Sequence, residues 1–267
     1  MHLLAGYMVP HPPIAVPEIG RGEELKIADT LASFDKVASD IASVKPDTII
    51  LTSPHSILYR DYFHISPGRS AVGDFGRFGA RSVDFNALYD EELVGAISAE
   101  ADKAGIPAGT EGERDPLLDH GTTVPMYFIN KKYTDYKLVR IGLSGFSLQT
   151  HYDFGKAIRR AIDKTGRRAV FVASGDLSHC QKEDGPYGYQ KEGPVYDEKI
   201  METMGNGDFK ALVNYDESLL DASVECEHRS FTIMGGAFEG IKFSTEKLSH
   251  EATFGVGYGF CIYHPEA

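Results

Sequence analysis

Three histidines share one local context. His11 follows the apolar run 3–8 and stands between Pro10 and Pro12. His55 follows the β-branched run 48–51 through Thr52, Ser53 and Pro54. His179 follows the predicted buried strand 168–174 through Gly175, Asp176, Leu177 and Ser178. An imidazole can bind a metal through a neutral nitrogen, and it changes charge near neutral pH, so it serves as ligand or as acid/base group. A single histidine beside a proline turn is ordinarily a hydrogen-bonded surface residue. Three at matching ends of three predicted strands imply convergence, because the carboxyl ends of parallel strands line the crevice of open α/β sheets. The fourth piece is Val224-Glu225-Cys226-Glu227-His228-Arg229-Ser230. With Ser223 as N-cap, Glu225 and Glu227 have a structural role as acids in a helix's first turn. Their chemical role is as third metal ligand, one of the two joining His11 and His55. Two imidazoles and a carboxylate leave open positions on an octahedral ion, which favours non-haem Fe(II). Zinc accepts the same donors and would activate water, a metallohydrolase's chemistry.

These side chains need a scaffold of strands and helices in alternation. The spacing predicts a strand over 3–8, a helix over 23–44 and a strand over 48–51, a unit that joins parallel strands by a crossover. A further strand is expected over 62–66, and a glycine-rich loop or irregular hairpin over 67–81. Helices are expected over 86–104, 122–130 and 148–164, with strands over 106–109, 138–143 and 168–174. The segment 182–194, rich in Gly and Tyr, reads as a loop over the site. Helices over 196–204, 208–214 and 223–239 and strands over 241–248 and 255–263 complete the chain. No linker divides it. The expectation is one α/β domain over residues 1–267, with a central mostly parallel or mixed sheet flanked by helices.

Charge and cysteine usage narrow the partners. The formal net charge is -12, which repels a phosphodiester backbone, and no basic patch offsets it, so nucleic acid is not expected. Cys180, Cys226 and Cys261 form no CxxC and no disulfide framework, which suits the reducing cytoplasm. The first residues lack the pattern of a secretory signal, and no apolar run is long enough to span a bilayer.

In order along the chain, Pro10-His11-Pro12, Ser53-Pro54-His55, Asp119-His120-Gly121, Ser174-Gly175-Asp176-Leu177-Ser178-His179 and the helix from Glu225 to Ala237 resemble the LigB-type class III extradiol ring-cleavage dioxygenases. They resemble equally the Memo-like branch of that superfamily. The resemblance runs over almost the whole chain and implies a LigB-like fold. It implies His11 and His55 as ligands of Fe(II), with zinc or another divalent ion as the alternative. Glu227 is the third ligand if the helix is aligned through Gly236-Ala237, and Glu225 if the helix starts are aligned. In Memo-like proteins a cysteine stands here, and Cys226 matches it as the alternative ligand. His179 matches the family's acid/base histidine, His120 a histidine lining the substrate site, and Asp176 an orienting group for His179 or nearby backbone. Tyr187 and Tyr189 are placed to cover a ring. The implied activity is opening of a catechol or aminophenol ring with O2. The implied partners are a small aromatic substrate and either a second copy of the chain or a small partner subunit. A non-catalytic Memo-like metal-binding or scaffold protein is the alternative.

Overall fold

The computed structural model describes residues 2–266. In chain order the elements are β1 (Leu3–Val9), α1 (Pro17–Gly20), α2 (Ala28–Val44), β2 (Thr48–Ser53), β3 (Phe63–His64), β4 (Ser70–Phe75), β5 (Ala80–Leu88), α3 (Glu91–Lys103) and β6 (Ala108–Gly109). They continue with α4 (His120–Asn130), β7 (Lys137–Gly142), α5 (Leu148–Thr165), β8 (Ala169–Ser174), α6 (Glu192–Gly205), α7 (Glu217–Ser223), α8 (His228–Ala237), β9 (Phe243–Glu251) and β10 (Tyr258–Pro265).

A six-stranded sheet runs β7-β2-β8-β1-β10-β9. Its β7, β2, β8 and β1 are mutually parallel, while β10 and β9 are antiparallel additions, so the sheet is mixed as expected. The crossover from β1 to β2 is present, but β8 lies between those strands. Strands β2 and β8 are buried along their whole length, which is why they read as unbroken apolar runs. Alternate side chains feed different cores: Phe171 and Ala173 pack with α3, α5 and α8 residues such as Ile97, Ile158 and Phe231. Val170 and Val172 pack with α2 and α4 residues such as Phe34 and Val124. Helices α5 and α8 meet at backbone contact: a Cβ on Gly236 would lie 1.8 Å from the Tyr152 carbonyl oxygen. No helix among the described residues is long and apolar enough to cross a membrane.

The differences from the predicted elements have local causes. The helix expected over 23–44 opens as a 3-10 turn over Glu23–Ile27 before α2. Of the two forms expected for the glycine-rich stretch it takes the irregular hairpin: β4 and β5 pair antiparallel with a register shift between Asp74 and Phe75, and exposed and buried residues alternate along β4. It takes residues 86–88 from the expected helix, and α3 begins after Asp90, whose carboxylate accepts from the Leu93 N–H. Ser223 ends α7 rather than capping α8: its hydroxyl donates to the Leu220 carbonyl. Helix α8 therefore starts at His228.

One buried histidine makes the fold acid-sensitive. His151 is fully buried, its Nδ1–H donates to the Ser147 carbonyl at 2.9 Å, and burial lowers its pKa to about 4. The unfolded chain, with an ordinary value near 6.5, binds the proton first as pH falls, so this group's contribution is full above that value and is lost between about 6.5 and 4. Denaturant titrations are expected to show the wild type losing up to about 3 kcal/mol more than His151→Leu on acidification from pH 7 to pH 4. Parallel curves for the two proteins would refute the assignment.

Candidate metal centre

Strands β1 and β8 end at one level, Val9 opposite Ser174, and β2 reaches the same level through Thr52 opposite Ala173. The chain breaks after each strand therefore project from one edge of the sheet. His11 is 1% exposed there. Its backbone N–H donates to Asp176 Oδ1 at 2.7 Å. Its ring Nδ1 lies 3.0 Å from Ser174 Oγ, whose own proton goes to the Gly121 carbonyl at 2.6 Å. Ser174 Oγ can then only accept, so Nδ1 of His11 carries the proton and Nε2 presents a lone pair.

That lone pair faces two further donors. His55 Nε2 is 3.0 Å away and Cys226 Sγ 3.8 Å away, and the three atoms lie within 4.8 Å of one another. Metal–nitrogen bonds of about 2.1 Å and a metal–sulfur bond of about 2.3 Å require separations of roughly 3 to 3.6 Å between such donors. The residues present thus fit a single cation with little movement. The Asp176 backbone N–H points at the sulfur at 3.4 Å. Burial, then the Asp176 and Glu227 carboxylates, hold the thiol's pKa well above its usual value. A bound cation would supply the missing counter-charge.

His55 is exposed, and its backbone N–H donates to Ser53 Oγ, which donates to Asp119 Oδ1 at 2.5 Å. Asp119 caps α4 by accepting from the Thr122 N–H, and so fixes the first residue of the helix, His120. The His120 ring stacks on His55 with centroids 3.9 Å apart and meets His11 edge-on at 5.3 Å. The buried Arg140 guanidinium holds the preceding segment through the Asp115 and Leu117 carbonyls.

His179 completes the set, with Nδ1 buried and unpartnered and its ring edge-on to Tyr187 at 5.5 Å. Burial lowers the pKa of His11, His55 and His179, and that of His120 to about 4. Repulsion from His55, His120 and His179 adds to the effect at His11. All four imidazoles are neutral at pH 7, the state in which nitrogen binds metal.

The two glutamates take other posts. Glu227 is fully buried; the Tyr196 hydroxyl donates to one carboxylate oxygen at 2.8 Å and the Cys226 N–H to the other at 3.1 Å. Glu225 accepts from the His228 N–H at 2.7 Å. Neither belongs to the donor cluster, and the side chain beside His11 and His55 is that of Cys226. With α8 starting at His228, residues 225–227 are a loop whose middle residue turns inward. Asp176 holds His11 and the Cys226 loop rather than His179. The Tyr187 ring, largely exposed, lies edge-on to His179, whereas Tyr189 is half-exposed and bridges by its backbone to Gln181. Sequence reasoning missed Ser174, Tyr196 and Arg140; a polar residue inside an otherwise apolar strand was the available signal for Ser174 and Arg140.

Gly175 lets the two halves meet. A Cβ there would lie 2.0 Å from Glu227 Cβ and 2.5 Å from its Cα. Gly175→Ala is expected to displace the Cys226 loop and cost about 1–3 kcal/mol. The checks are thermal unfolding and metal stoichiometry; a variant with wild-type values in both would refute the close approach.

Two cavities flank the cluster. One, of about 300 Å³, is lined by His55, His120, Phe78 and Leu118 together with Asp74, Asp115, Asp119 and Arg77. The other, of about 350 Å³, is lined by Pro54, Leu58, Leu143, Glu225, Cys226 and Arg229.

Comparison with known proteins bears on these features. The family described as the catalytic LigB subunit of aromatic ring-opening dioxygenase matches residues 5–261. The chain is 40% identical over 267 residues to protein CA_C1420 of Clostridium acetobutylicum, covering 97% of this chain and 57% of that protein. It thus spans little more than half the length of that relative. It is 26% identical over 289 residues to the 2-aminophenol 1,6-dioxygenase beta subunit of a Pseudomonas species, covering 96% of this chain and 92% of that subunit. In fold it is similar to the crystal structure of the uncharacterized protein JW3007 from Escherichia coli K12, with a TM-score of 0.60 at 15% identity, over 98% of this chain and 99% of that one.

Proposed function

Because the chain belongs to the LigB family of catalytic subunits of aromatic ring-opening dioxygenases, we propose that it opens an aromatic ring bearing two adjacent oxygens, or an oxygen and a nitrogen, with O2 at a mononuclear Fe(II) centre. The observation that carries the reading is the convergence of His11, His55 and Cys226 with His120 and His179 beside them. His11, His55 and Cys226 would hold the ion. Bound there, iron supplies Lewis acidity toward the ring oxygens and the redox capacity that lets O2 react with a closed-shell substrate.

The chain's own groups do the rest. Ser174 fixes the tautomer of His11, and Asp176 fixes its backbone. His179, neutral at pH 7, accepts a proton from the substrate's hydroxyl and gives it back to a substrate oxygen as the ring opens, both atoms of O2 staying in the product. His120 lines the cavity on the His55 side of the cluster and donates a hydrogen bond to a substrate oxygen. Tyr187 screens His179 from solvent. The 2-aminophenol enzyme similar to this chain is named as a beta subunit, so a partner chain belongs to the proposal.

The test is anaerobic loading with Fe(II), then oxygen with a panel of catechols and 2-aminophenols, following O2 uptake and the coloured ring-opened product. Stoichiometric iron with no uptake across the panel would overturn the reading. It would favour the second one, a metal-binding protein without ring cleavage. That reading rests on Cys226: a thiolate is a softer donor than a carboxylate and suits zinc or copper(I) as well as iron.

A further inference from the structure

We propose that Asp197 is a positioning residue for His179, fixing the backbone that sets this imidazole beside the metal centre, and that His250 holds Asp197 in place. The inference rests on reading His179 as the acid/base group, and adds the residues that set its position.

Asp197 lies on α6 and is 1% exposed. One carboxylate oxygen accepts from the Ser178 N–H at 2.9 Å. The other lies 2.7 Å from Nε2 of His250, on β9. An ionised carboxylate only accepts, so Nε2 carries the proton. The acid is seated against bare backbone: a Cβ on Gly257 would lie 2.0 Å from Asp197 Oδ2. Gly257 also grips the same segment. Its carbonyl accepts from the Leu177 N–H at 2.9 Å, and its N–H donates to the Ser178 carbonyl at 2.8 Å. The two residues before His179 are thereby fixed.

The neighbouring amides find neutral acceptors. The His179 N–H uses the Ser223 carbonyl at 3.3 Å, and the Cys180 N–H the Ser178 hydroxyl at 3.2 Å. A carboxylate is the costly choice at Ser178, because its burial is unfavourable unless it is paired and hydrogen-bonded. Burial raises the Asp197 pKa, and the bonds from His250 and Ser178 oppose the rise. What the charge adds is a shorter and stronger bond than a carbonyl would form.

The place of Asp197 on α6 extends the argument. The residue before it, Tyr196, donates to Glu227, whose carboxylate takes the Cys226 N–H. Consecutive residues of one helix thus hold the loop with the sulfur donor and the loop with the acid/base group. Together they fix how those loops stand to one another.

The test compares Asp197→Ala, Asp197→Asn and His250→Leu with the wild type. Asparagine keeps an oxygen acceptor for the Ser178 N–H. The first readout needs no turnover. In Co(II)-loaded protein the His179 ring protons carry paramagnetic shifts set by their distance and direction from the metal. Asp197→Ala should move these shifts and Asp197→Asn restore them, with one Co(II) bound in each. The second readout is steady-state opening of catechol or 2-aminophenol by Fe(II)-loaded protein. Asp197→Ala should lose roughly 10- to 100-fold in kcat with KM unchanged, the effect of a misplaced reacting group. Asp197→Asn should recover most of it. His250→Leu leaves the carboxylate one partner fewer and should fall between; it is the deciding variant if Asp197→Ala does not fold. Wild-type shifts in Asp197→Ala and His250→Leu overturn the proposal, as does a kcat loss that Asp197→Asn shares in full. If the wild type opens neither ring while the shifts move as expected, the dioxygenase reading falls and the positioning role stands. Ring opening with unmoved shifts sinks this inference alone.

Discussion

Cys226→Ala should lose divalent-metal binding by more than about 100-fold, beyond the 10- to 100-fold typical of groups that merely support a ligand. The expectation follows from the donor set: the sulfur lies 3.8 Å from His11 Nε2, and no carboxylate takes part in the cluster. Glu227→Gln is the informative companion. Its carboxylate accepts from Tyr196 and from the Cys226 N–H, so its loss should weaken binding within the supporting range and leave the stoichiometry at one. Anaerobic titration with Fe(II) measures both. Loading with Co(II) adds a second readout, because a thiolate ligand produces a charge-transfer absorption that Glu227→Gln should keep and Cys226→Ala should lack. Cys226→Asp tests whether an oxygen donor at the same point restores binding. Wild-type affinity in Cys226→Ala, with binding abolished in Glu227→Gln, would transfer the ligand role to the glutamate.

His179→Ala should bind metal as the wild type does, yet turn over an identified substrate about 100- to 10,000-fold more slowly, the range for loss of a positioned acid/base group. Burial lowers the pKa of His179 below its usual 6.5. The basic form therefore persists into mildly acid solution, and the wild-type rate should fall only as pH drops below that reference value. The variant should lose this acid limb together with the rate. Added imidazole should recover part of the activity if the missing function is proton transfer. An unchanged pH profile in His179→Ala would remove the residue from the chemistry.

The strand-end histidines were legible because buried parallel strands write themselves as apolar runs, and the break after each run marks the sheet edge. His11, His55 and His179 inherit their meeting place from the register of β1, β2 and β8. The glycine-rich stretch left loop and irregular hairpin both open, because Gly73 blurs the alternation of β4 and Gly76 and Gly79 lie in the turn. The third donor was undecidable within Glu225-Cys226-Glu227, since which of three neighbours turns inward depends on where α8 starts. Ser223 pointed to the wrong start: a serine hydroxyl closes one helix by bonding a carbonyl as readily as it caps the next. Ser174 is conspicuous in the sequence as a polar residue in an apolar strand, but its role as acceptor for the His11 ring comes from what surrounds it in space.

The bare Cα at position 175 also leaves the two loops without slack. With no layer of side chains between them, a shift of the segment carrying Cys226 presses directly on the segment that leads to His179. Occupancy at the sulfur should then be felt four residues beyond the contact, as slower amide exchange at His179 in loaded protein. The sheet edge would thus register whether the ion is home before any substrate arrives.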